Sequence, residues 1–276
     1  MKILLAGAGG QLGRALVPAL ARHEVTALTH GQLDITDASA VREAVATHRP
    51  ELVLNAAAWN AVDRAESEPE AAFRGNALGP RKLALASAEV GAAILQLSTD
   101  YVFDGEAGRP YHELDRPHPL SVYGESKLAG EEAVRELNPR HHIVRTAWLY
   151  APRGRNFCHT MLELAKKGPV SVVDDQRGSP TYAPHLADAI AQLVESQSFG
   201  TWHVAGSGVA SWYELAQELF RRCGVTTEVR PVKTVAVPRP ALRPRFSALV
   251  SERNAPLLPP WTEGVAAFAA ALAGAS

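Results

Sequence analysis

Short apolar runs alternate with amphipathic stretches through the first 150 residues of the chain. Five apolar runs predict strands, at Lys2–Ala6, Glu24–Leu28, Glu51–Asn55, Ala92–Ser98 and His142–Thr146. Helical periodicity lies between the runs, at Gln11–Ala21, Ala38–His48, Pro69–Val90 and Tyr123–Leu137. We expect the third of these helices to break near Gly79-Pro80. Strands that alternate with helices of this length form βαβ units, which predicts a parallel sheet covered by helices on both faces.

The pattern changes after residue 150, where proline becomes more frequent and the apolar runs become shorter. Three short strands are predicted, at Ser171–Val173, Trp202–Val204 and Val229–Pro231. Three helices alternate with them, at Asn156–Lys166, Pro184–Ser196 and Trp212–Cys223. The proline- and arginine-rich segment Pro231–Pro244 is expected to be an irregular loop. The whole pattern predicts an α/β fold, a Rossmann-type doubly wound parallel sheet with a smaller C-terminal α/β domain.

Composition and charge argue against several classes of function. Hydrophobic residues make up 46% of the 276 residues and charged residues 21%, proportions that exclude a disordered chain. The 28 basic and 29 acidic side chains give a formal net charge of -1, which argues against nucleic-acid binding. The apolar tail Gly264–Ser276 is shorter than the roughly 20 residues of a membrane-spanning helix. Cys158 and Cys223 stand alone, without metal-ligand spacing, which favours a reducing, cytoplasmic setting.

A glycine-rich turn directly follows the first predicted strand. Gly7, Gly10 and Gly13 have the GxxGxxG spacing, and the next predicted helix begins among them. Glycines let the backbone turn tightly and approach a pyrophosphate, whose charge then lies at the helix N-terminus. The alternative is a glycine turn without a ligand, but its position at the first strand–helix junction favours a dinucleotide site.

The end of the second predicted strand bears on the choice of dinucleotide. Thr29 and His30 stand there, without the acidic residue that binds both ribose hydroxyls in strict NAD users. This leaves room for the 2′-phosphate of NADPH, which Arg14 could approach, while NADH stays open. Asp34 and Ile35 could meet the adenosine, or Asp34 could act as a turn or cap residue.

Tyr123 and Lys127 stand four residues apart in a predicted helix, so their side chains lie on one face. An ammonium beside a phenol favours the phenolate and is expected to lower the tyrosine pKa from about 10. Such a phenol can exchange a proton with a carbonyl or alcohol oxygen. An exposed amphipathic pair would show the same spacing. Thr99 favours the catalytic interpretation, because it follows the fourth predicted strand at the sheet edge where ligands bind in open α/β sheets.

Several motifs together resemble the extended short-chain dehydrogenase/reductase superfamily. They are the glycine turn, Asn55–Glu66, Ser98–Phe103, Tyr123–Lys127, Arg145–Tyr150, Gly154–Phe157, Asp174–Thr181 and Pro238–Ser247. The ordered set spans nearly the whole chain and is far more specific than any one of its motifs. Within the superfamily, the resemblance is strongest to enzymes that reduce a 4-keto sugar carried on a nucleotide.

The resemblance implies a cofactor, NADPH or alternatively NADH, and a role for each residue around it. The residues implied in cofactor binding are Gly7, Gly10, Gln11, Leu12 and Gly13 at the pyrophosphate, Asp34 and Ile35 at the adenosine, and Ala58, Trp59, Asn60, Tyr123 and Lys127 on the nicotinamide side. Tyr123 is implied as the catalytic acid. Lys127 would tune it and bind the nicotinamide ribose, and Thr99 would complete the catalytic set.

The resemblance also implies the substrate. The implied reaction is reduction of the C4 ketone of dTDP-4-dehydro-L-rhamnose to dTDP-L-rhamnose, which feeds surface polysaccharide synthesis. Thr99 and Asp100 would touch the sugar, and Trp148 would pack on it, although a core indole is the plain alternative. Guanidinium groups suit the oxygens of a diphosphate, and the candidates are Arg239, Arg243 and Arg245. A solvated basic loop is the alternative for these arginines.

The resemblance divides the chain between the two ligands. Residues 1–150, with about 183–204, are expected to bind the dinucleotide, and about 151–182 with 205–276 the nucleotide sugar. The expected partner is this small molecule, with no nucleic acid and no membrane, and the chain is expected to be a monomer or a homodimer. Some members of the family form a dimer around a magnesium ion that is bound by carboxylates, and one of these carboxylates lies in the first helix. Gly13–Leu16 contains no carboxylate, so no metal site is predicted.

Other functions stay open from the motifs. A sugar epimerase or 4,6-dehydratase would share the fold, but dehydratases carry an acidic residue where this chain has Tyr101. An epimerase would keep its NAD bound and need no external reductant. A non-catalytic NADP-binding subunit, like the regulatory subunit of methionine adenosyltransferase, would not need the combination of Thr99, Tyr123 and Lys127.

Overall fold

A parallel sheet forms the centre of the molecule. The structure is a computed structural model that describes residues 1–196 and 198–274. Residue 197 of the predicted dinucleotide-binding segment and residues 275–276 of the predicted sugar domain lie outside the described residues.

The strands and helices follow the predicted alternation. The strands are β1 (Lys2–Ala6), β2 (Glu24–Leu28), β3 (Leu52–Asn55), β4 (Ala93–Thr99), β5 (His141–Thr146), β6 (Leu149–Tyr150), β7 (Val170–Val173), β8 (Arg177–Gly178), β9 (Thr181–Tyr182), β10 (Gly200–His203), β11 (Ala210–Ser211) and β12 (Val229–Val232). The α-helices are α1 (Gln11–Ala19), α2 (Ala38–His48), α3 (Val62–Ala65), α4 (Pro69–Phe73), α5 (Gly79–Glu89), α6 (Val122–Leu137), α7 (Phe157–Ala165), α8 (Ala183–Leu193), α9 (Trp212–Arg222) and α10 (Trp261–Ala273).

Six strands pair in parallel in the order β10-β5-β4-β3-β1-β2. The chain passes from β1 to β2 on one side and then returns across β1 to β3, so the switch point lies between β1 and β3. Ligands of doubly wound sheets bind outside the carboxyl ends of the strands at such a point. The predicted Rossmann-type α/β fold is confirmed, and a ligand site is expected at its switch point.

Helices cover both faces of the sheet. Alternate side chains of β1 enter different cores: Ile3 and Leu5 pack with α1 and α8, while Leu4 and Ala6 pack with α2 and α5. All four side chains are buried. Burying a side chain such as Leu or Ile stabilises the fold by about 1.5–3 kcal/mol, so two-sided burial explains why the strands are apolar throughout.

A second core lies in the C-terminal part, where α7, α9 and α10 pack with β7 around Tyr150, Leu219 and Phe268. The sequence pattern does not predict α10, because its many alanines blur the apolar period. Val265 and Phe268 of α10 are nevertheless fully buried in this core. Tertiary packing therefore fixes a helix that local periodicity does not indicate.

The predicted helix break near Gly79-Pro80 is wrong. Helical winding continues there, and the irregularity lies just before it, in a π-helical turn at Arg74–Leu78. Pro80 falls in the first turn of α5, a position where its missing N–H is tolerated. The segment Pro231–Pro244 contains the end of β12 and a 3₁₀ turn at Thr234–Ala236. Across residues 1–196 and 198–274, every helix is too short or too polar to span a bilayer.

Candidate active site

The glycine turn shapes an anion-binding cradle at the N-terminus of α1. Gly10 is the N-cap and offers no side chain to the free N–H groups of the first turn, which also contains no carboxylate. Gly7 has a φ of +83°, and a Cβ atom there would lie 2.5 Å from the backbone nitrogen of Ala57. Only glycine keeps this space open, so the turn fits a dinucleotide pyrophosphate.

A groove of about 840 Å³ begins at this turn and continues past the end of β2. Seven of the predicted cofactor residues line it: Gly7, Gly10, Asp34, Ile35, Ala58, Trp59 and Asn60. Four others line the adjoining cavity: Gln11, Leu12, Tyr123 and Lys127. Gly13 lies against the Gly7 carbonyl and the Ala8 backbone, where a Cβ atom would collide, and it is not among the lining residues of either space. Its contribution is close packing of α1 on the turn.

Asp34 and Arg14 both have partners within the protein. The Asp34 carboxylate accepts a hydrogen bond from the Thr36 N–H at 2.8 Å, which lowers its pKa, so it does act as a turn residue. Arg14 donates from Nε to the Gly9 carbonyl at 2.9 Å. Arg14, Thr29 and His30 line the same groove as Asp34, which brings basic and hydroxyl groups to the end of β2.

Trp59 is held by a residue that the sequence pattern does not single out. The side chain of Asn76 accepts a hydrogen bond from the Trp59 N–H at 2.8 Å and donates to the Trp59 carbonyl at 3.0 Å. Asn76 also donates to Ser126 Oγ at 3.0 Å, directly before Lys127 in the chain. It lies in the π-helical turn, a feature that often marks functional sites and has no local sequence signal.

Thr99, Tyr123 and Lys127 meet in a cavity of about 180 Å³ beside the groove. Thr99 ends β4. Ser121 caps α6 by accepting a hydrogen bond from the Gly124 N–H at 3.2 Å, which places Tyr123 in the first turn of the helix. Lys127 follows one turn later and lines the same cavity, as the spacing indicates. The three side chains are each less than 10% exposed.

The predicted lowering of the Tyr123 pKa is wrong. Burial, reinforced by the charge of Asp100, raises the Tyr123 pKa well above its ordinary value, and a hydrogen bond with Thr99 opposes this only in part. The Lys127 ammonium donates to the Leu97 carbonyl at 2.6 Å. Burial lowers the Lys127 pKa to about 8, against the attraction of Glu131. The phenol is therefore protonated throughout the neutral range and stands ready as an acid.

Asp100 lies beneath the catalytic side chains and joins them to the C-terminal segment. Its carboxylate accepts hydrogen bonds from Thr99 Oγ1 at 3.0 Å and from Ser247 Oγ at 2.5 Å. Burial raises the Asp100 pKa to about 7. Asp100 lines the cavity, but its carboxylate oxygens already have protein partners, so a direct contact with a sugar stays a prediction.

Trp148 lines the catalytic cavity, and its neighbour Trp212 lines a second one. Trp148 has a φ of +46°, a left-handed conformation that is costly for a bulky residue and is typical of functional sites. Its ring stacks on Trp212 with centroids 3.6 Å apart and an interplanar angle of 4°. Gly178 lies against the same ring, where a Cβ atom would come within 2.5 Å of Trp148 Cε2. The sequence places Gly178 only within a resembling motif and does not single out Trp212, because the roles of both depend on tertiary contact.

The second cavity, of about 410 Å³, contains the basic groups of the C-terminal segment. Arg239 and Arg243 line it together with Arg155, which the sequence places only within a resembling motif. Arg243 pairs with Asp63 at 3.0 Å and Arg239 with the same carboxylate at 3.5 Å. Arg245 is exposed and is not among the residues that line this cavity.

Metal-binding and thiol chemistry have little support in the described part of the chain. Within residues 1–196 and 198–274, no group of three or more His, Cys, Asp or Glu side chains could hold a metal ion. That the protein uses no metal stays a prediction. Cys158 is buried in the C-terminal core, where burial raises its pKa, so its thiol is poorly nucleophilic at neutral pH.

Comparison with known proteins adds to this geometry. Residues 1–273 match the family model described as RmlD substrate binding domain. Over 260 residues, the chain is 51% identical to dTDP-4-dehydrorhamnose reductase of Streptomyces griseus, covering 91% of this chain and 86% of that protein. The crystal structure of a dTDP-4-dehydrorhamnose reductase from Clostridium acetobutylicum is similar with a TM-score of 0.96 and 42% identity, over 99% of this chain and 100% of that one. The corresponding Bacillus anthracis enzyme, solved in complex with NADP, has a TM-score of 0.94 and 39% identity, over 97% and 98% of the two chains.

Proposed function

The chain belongs to the RmlD substrate binding domain family, and we propose that it reduces the C4 ketone of dTDP-4-dehydro-L-rhamnose to dTDP-L-rhamnose with NADPH. The observation that carries the proposal is the meeting of Thr99, Tyr123 and Lys127 in one buried cavity. This cavity adjoins a groove that fits a dinucleotide, and Trp148 connects it to the arginine-lined cavity. The product would feed surface polysaccharide synthesis.

Tyr123 supplies the proton in this reaction. When bound, NADPH supplies the hydride to C4. The sugar O4 gains negative charge in the transition state, and Tyr123, kept protonated by burial and by the Asp100 charge, donates its proton there. The Thr99 hydroxyl exchanges its hydrogen bond to the Asp100 carboxylate for one that it donates to the same sugar oxygen, and the Lys127 ammonium adds positive charge at the cavity floor. Positioned acid catalysis of this kind contributes about 10²–10⁴-fold.

The cofactor residues divide as the resemblance implies. The glycine turn holds the pyrophosphate, Asp34 and Ile35 the adenosine, and Lys127 the nicotinamide ribose. Arg14 and His30 favour NADPH over NADH, because they bring basic groups to the end of β2 where strict NAD users carry an acid. The second core supports a division in which residues 1–150 with about 183–204 bind the dinucleotide and the rest of the chain binds the sugar. We also propose that the protein is cytoplasmic and is a monomer or a homodimer.

The nucleotide-linked end of the substrate extends into the arginine-lined cavity. The sugar packs on Trp148, and its diphosphate binds Arg239 and Arg243. The Asp63 carboxylate holds one edge of the Arg243 guanidinium at 3.0 Å, and Arg243 also donates from Nη1 to the Ala241 carbonyl at 2.8 Å. These contacts support Arg243 as the better ordered of the two arginines, because its side chain is 18% exposed against 57% for Arg239.

Replacing Arg243 by methionine should raise the KM for the nucleotide sugar by at least about tenfold, the loss of roughly 1.4 kcal/mol of binding free energy. The NADPH Kd should stay within about twofold, because Arg243 is not a groove residue. Arg245→Met is the matched control, with the same chemical change at an exposed neighbour. Steady-state kinetics on both variants checks the assignment, and equal KM effects at the two positions would contradict it.

The absorbance of NADPH at 340 nm tests the function itself. The purified protein is mixed with NADPH, and separately with NADH, and with dTDP-4-dehydro-L-rhamnose made in situ by the preceding enzymes. Loss of absorbance with formation of dTDP-L-rhamnose is expected, faster with NADPH. Bound cofactor without any turnover would instead favour a non-catalytic NADP-binding subunit, and isomerised sugar without net oxidation of NADPH would favour an epimerase.

A further inference from the structure

A buried carboxylate, Glu131, lies one helical turn beyond Lys127 on α6 and is fully inaccessible to solvent. Its Oε1 accepts hydrogen bonds from Ser98 Oγ at 2.5 Å and from Arg145 Nε at 2.9 Å. Its Oε2 accepts from Arg145 Nη2 at 2.7 Å. Ser98 directly precedes Thr99 on β4, and Arg145 is its register neighbour on β5. One carboxylate therefore joins the catalytic helix to both strands beneath the cavity.

The charges around this carboxylate can be assigned from the geometry. His203 Nδ1 faces the carbonyl oxygens of Tyr111 and Val250, at 3.0 and 3.1 Å, so Nδ1 carries the hydrogen. Nε2, 3.4 Å from Arg145 Nη1, is then the acceptor, and the ring is neutral. Burial lowers the His203 pKa to about 4, in agreement. The cationic Arg145 and the anionic Glu131 thus form a buried ion pair that two hydrogen bonds join.

Such a pair costs desolvation free energy and is often no better for stability than apolar residues of similar size. A role at the site would explain why two charges are placed there. Lys127 is the only catalytic side chain that carries a full positive charge, and it has been removed from water almost completely. Glu131 and Tyr123 share the helix of Lys127, Asp100 lines the same cavity after β4, and Arg145 on β5 is hydrogen-bonded to Glu131. Arg135, at 3.5 Å from Glu131, is a further cation at the outer side of the carboxylate.

We propose that Glu131 is a positioning residue, a fixed counter-charge that keeps Lys127 protonated and directed at the cavity floor. Ser98 and Arg145 hold the carboxylate by three hydrogen bonds, so its charge cannot turn away from the helix. Lys127 is anchored at the same level, on the Leu97 carbonyl directly before Ser98. The inference rests on the proposed function, in which the Lys127 ammonium contacts the nicotinamide ribose of NADPH.

The sign of the effect follows from the charge of Glu131, which lies one helical turn from Lys127. Burial alone favours neutral Lys127, and Glu131 opposes this. Removing the negative charge therefore lowers the pH at which Lys127 loses its proton. NADPH affinity depends on the ammonium, so it should begin to fall at a lower pH in such a variant than in the wild type. A purely structural role for Glu131 would weaken binding at every pH by a similar factor.

Glu131→Gln tests the proposal, because it keeps the shape of the side chain and removes its charge. NADPH fluorescence titrations from about pH 6.5 to 9.5 give the Kd of each variant without any sugar substrate. We expect the alkaline midpoint for loss of NADPH affinity to fall by about one pH unit, with a Kd about 5–10-fold higher at pH 8 and within twofold at pH 6.5. Glu125→Gln, an exposed carboxylate on the same helix, is the matched control and should keep the wild-type midpoint.

An unchanged midpoint in Glu131→Gln would overturn the proposal. Glu131→Asp, which retains the charge, serves if the amide variant does not fold. Glu131→Asp should keep the wild-type midpoint within about 0.3 pH unit while it loses thermal stability. A one-unit shift of its midpoint would assign the effect to packing and reject the counter-charge role. The outcome is separable from that of the proposed function. A protein that shows the midpoint shift but never reduces the 4-keto sugar would refute the proposed function alone.

Discussion

Replacing Tyr123 by phenylalanine is expected to lower kcat by about 10²–10⁴-fold while leaving the NADPH Kd within about twofold. The substitution removes only the hydroxyl. Tyr123 packs edge-on against Tyr101, with centroids 5.9 Å apart, and phenylalanine preserves that contact. The loss therefore falls on proton donation to the sugar oxygen, an interaction made only as charge develops in the transition state.

Absorbance at 340 nm gives kcat for this variant, and NADPH fluorescence gives its Kd. Tyr101→Phe is the matched control, since it removes a hydroxyl from the neighbouring ring, and its kcat should stay within about threefold of wild type. Turnover near the wild-type rate in Tyr123→Phe would reject the phenol as the acid. The second donor of the cavity, Thr99, would then be the residue to test, because it lines the same space at the end of β4.

Elements fixed by local signals could be predicted from the sequence almost to the residue. Helix α2 begins and ends as expected, because Asp37 caps it through the Ser39 and Ala40 N–H groups and its apolar period is regular. Strand β1 also has its predicted bounds, since every residue after its first faces one core or the other. The two-residue strands β6, β8, β9 and β11 have no such signal, because pairing with distant segments alone makes them strands.

The same distinction between local and tertiary signals applies to the residues of the site. The glycine turn and the Tyr123–Lys127 spacing are local patterns, and the structure places the turn along the groove and the pair in the cavity beside it. The electrostatics are not local. The expectation of a lowered Tyr123 pKa assumed that the Lys127 ammonium faces the phenol, whereas it donates to the Leu97 carbonyl and the phenol is dominated by burial. The choice between Arg243 and Arg245 likewise depends on which way the chain turns around Pro244.

The buried ammonium of Lys127 predicts opposite effects on activity and on stability. Burial lowers its pKa to about 8 from an ordinary value of 10.5. The unfolded chain therefore binds more protons than the folded protein between these two pH values, and folding is penalised by about 3 kcal/mol at any pH below 8. The penalty disappears as the pH rises toward 10.5. The protein thus retains a group that destabilises it at neutral pH, which is typical of active sites.

Replacing Lys127 by methionine should lower kcat by at least about 10²-fold and raise the NADPH Kd by about tenfold, because its two proposed roles are lost together. The same variant should be more stable than wild type at pH 7 by about 2 kcal/mol, the relieved penalty less about 1 kcal/mol for the lost hydrogen bond to Leu97. At pH 10 this gain should vanish, since wild-type Lys127 is then neutral in the folded protein.

Denaturant unfolding at pH 7 and at pH 10 measures this difference in stability. A variant that is less stable than wild type at pH 7 would show that the ammonium supports the fold, and a fall in NADPH affinity without a fall in kcat would remove Lys127 from the proton chemistry.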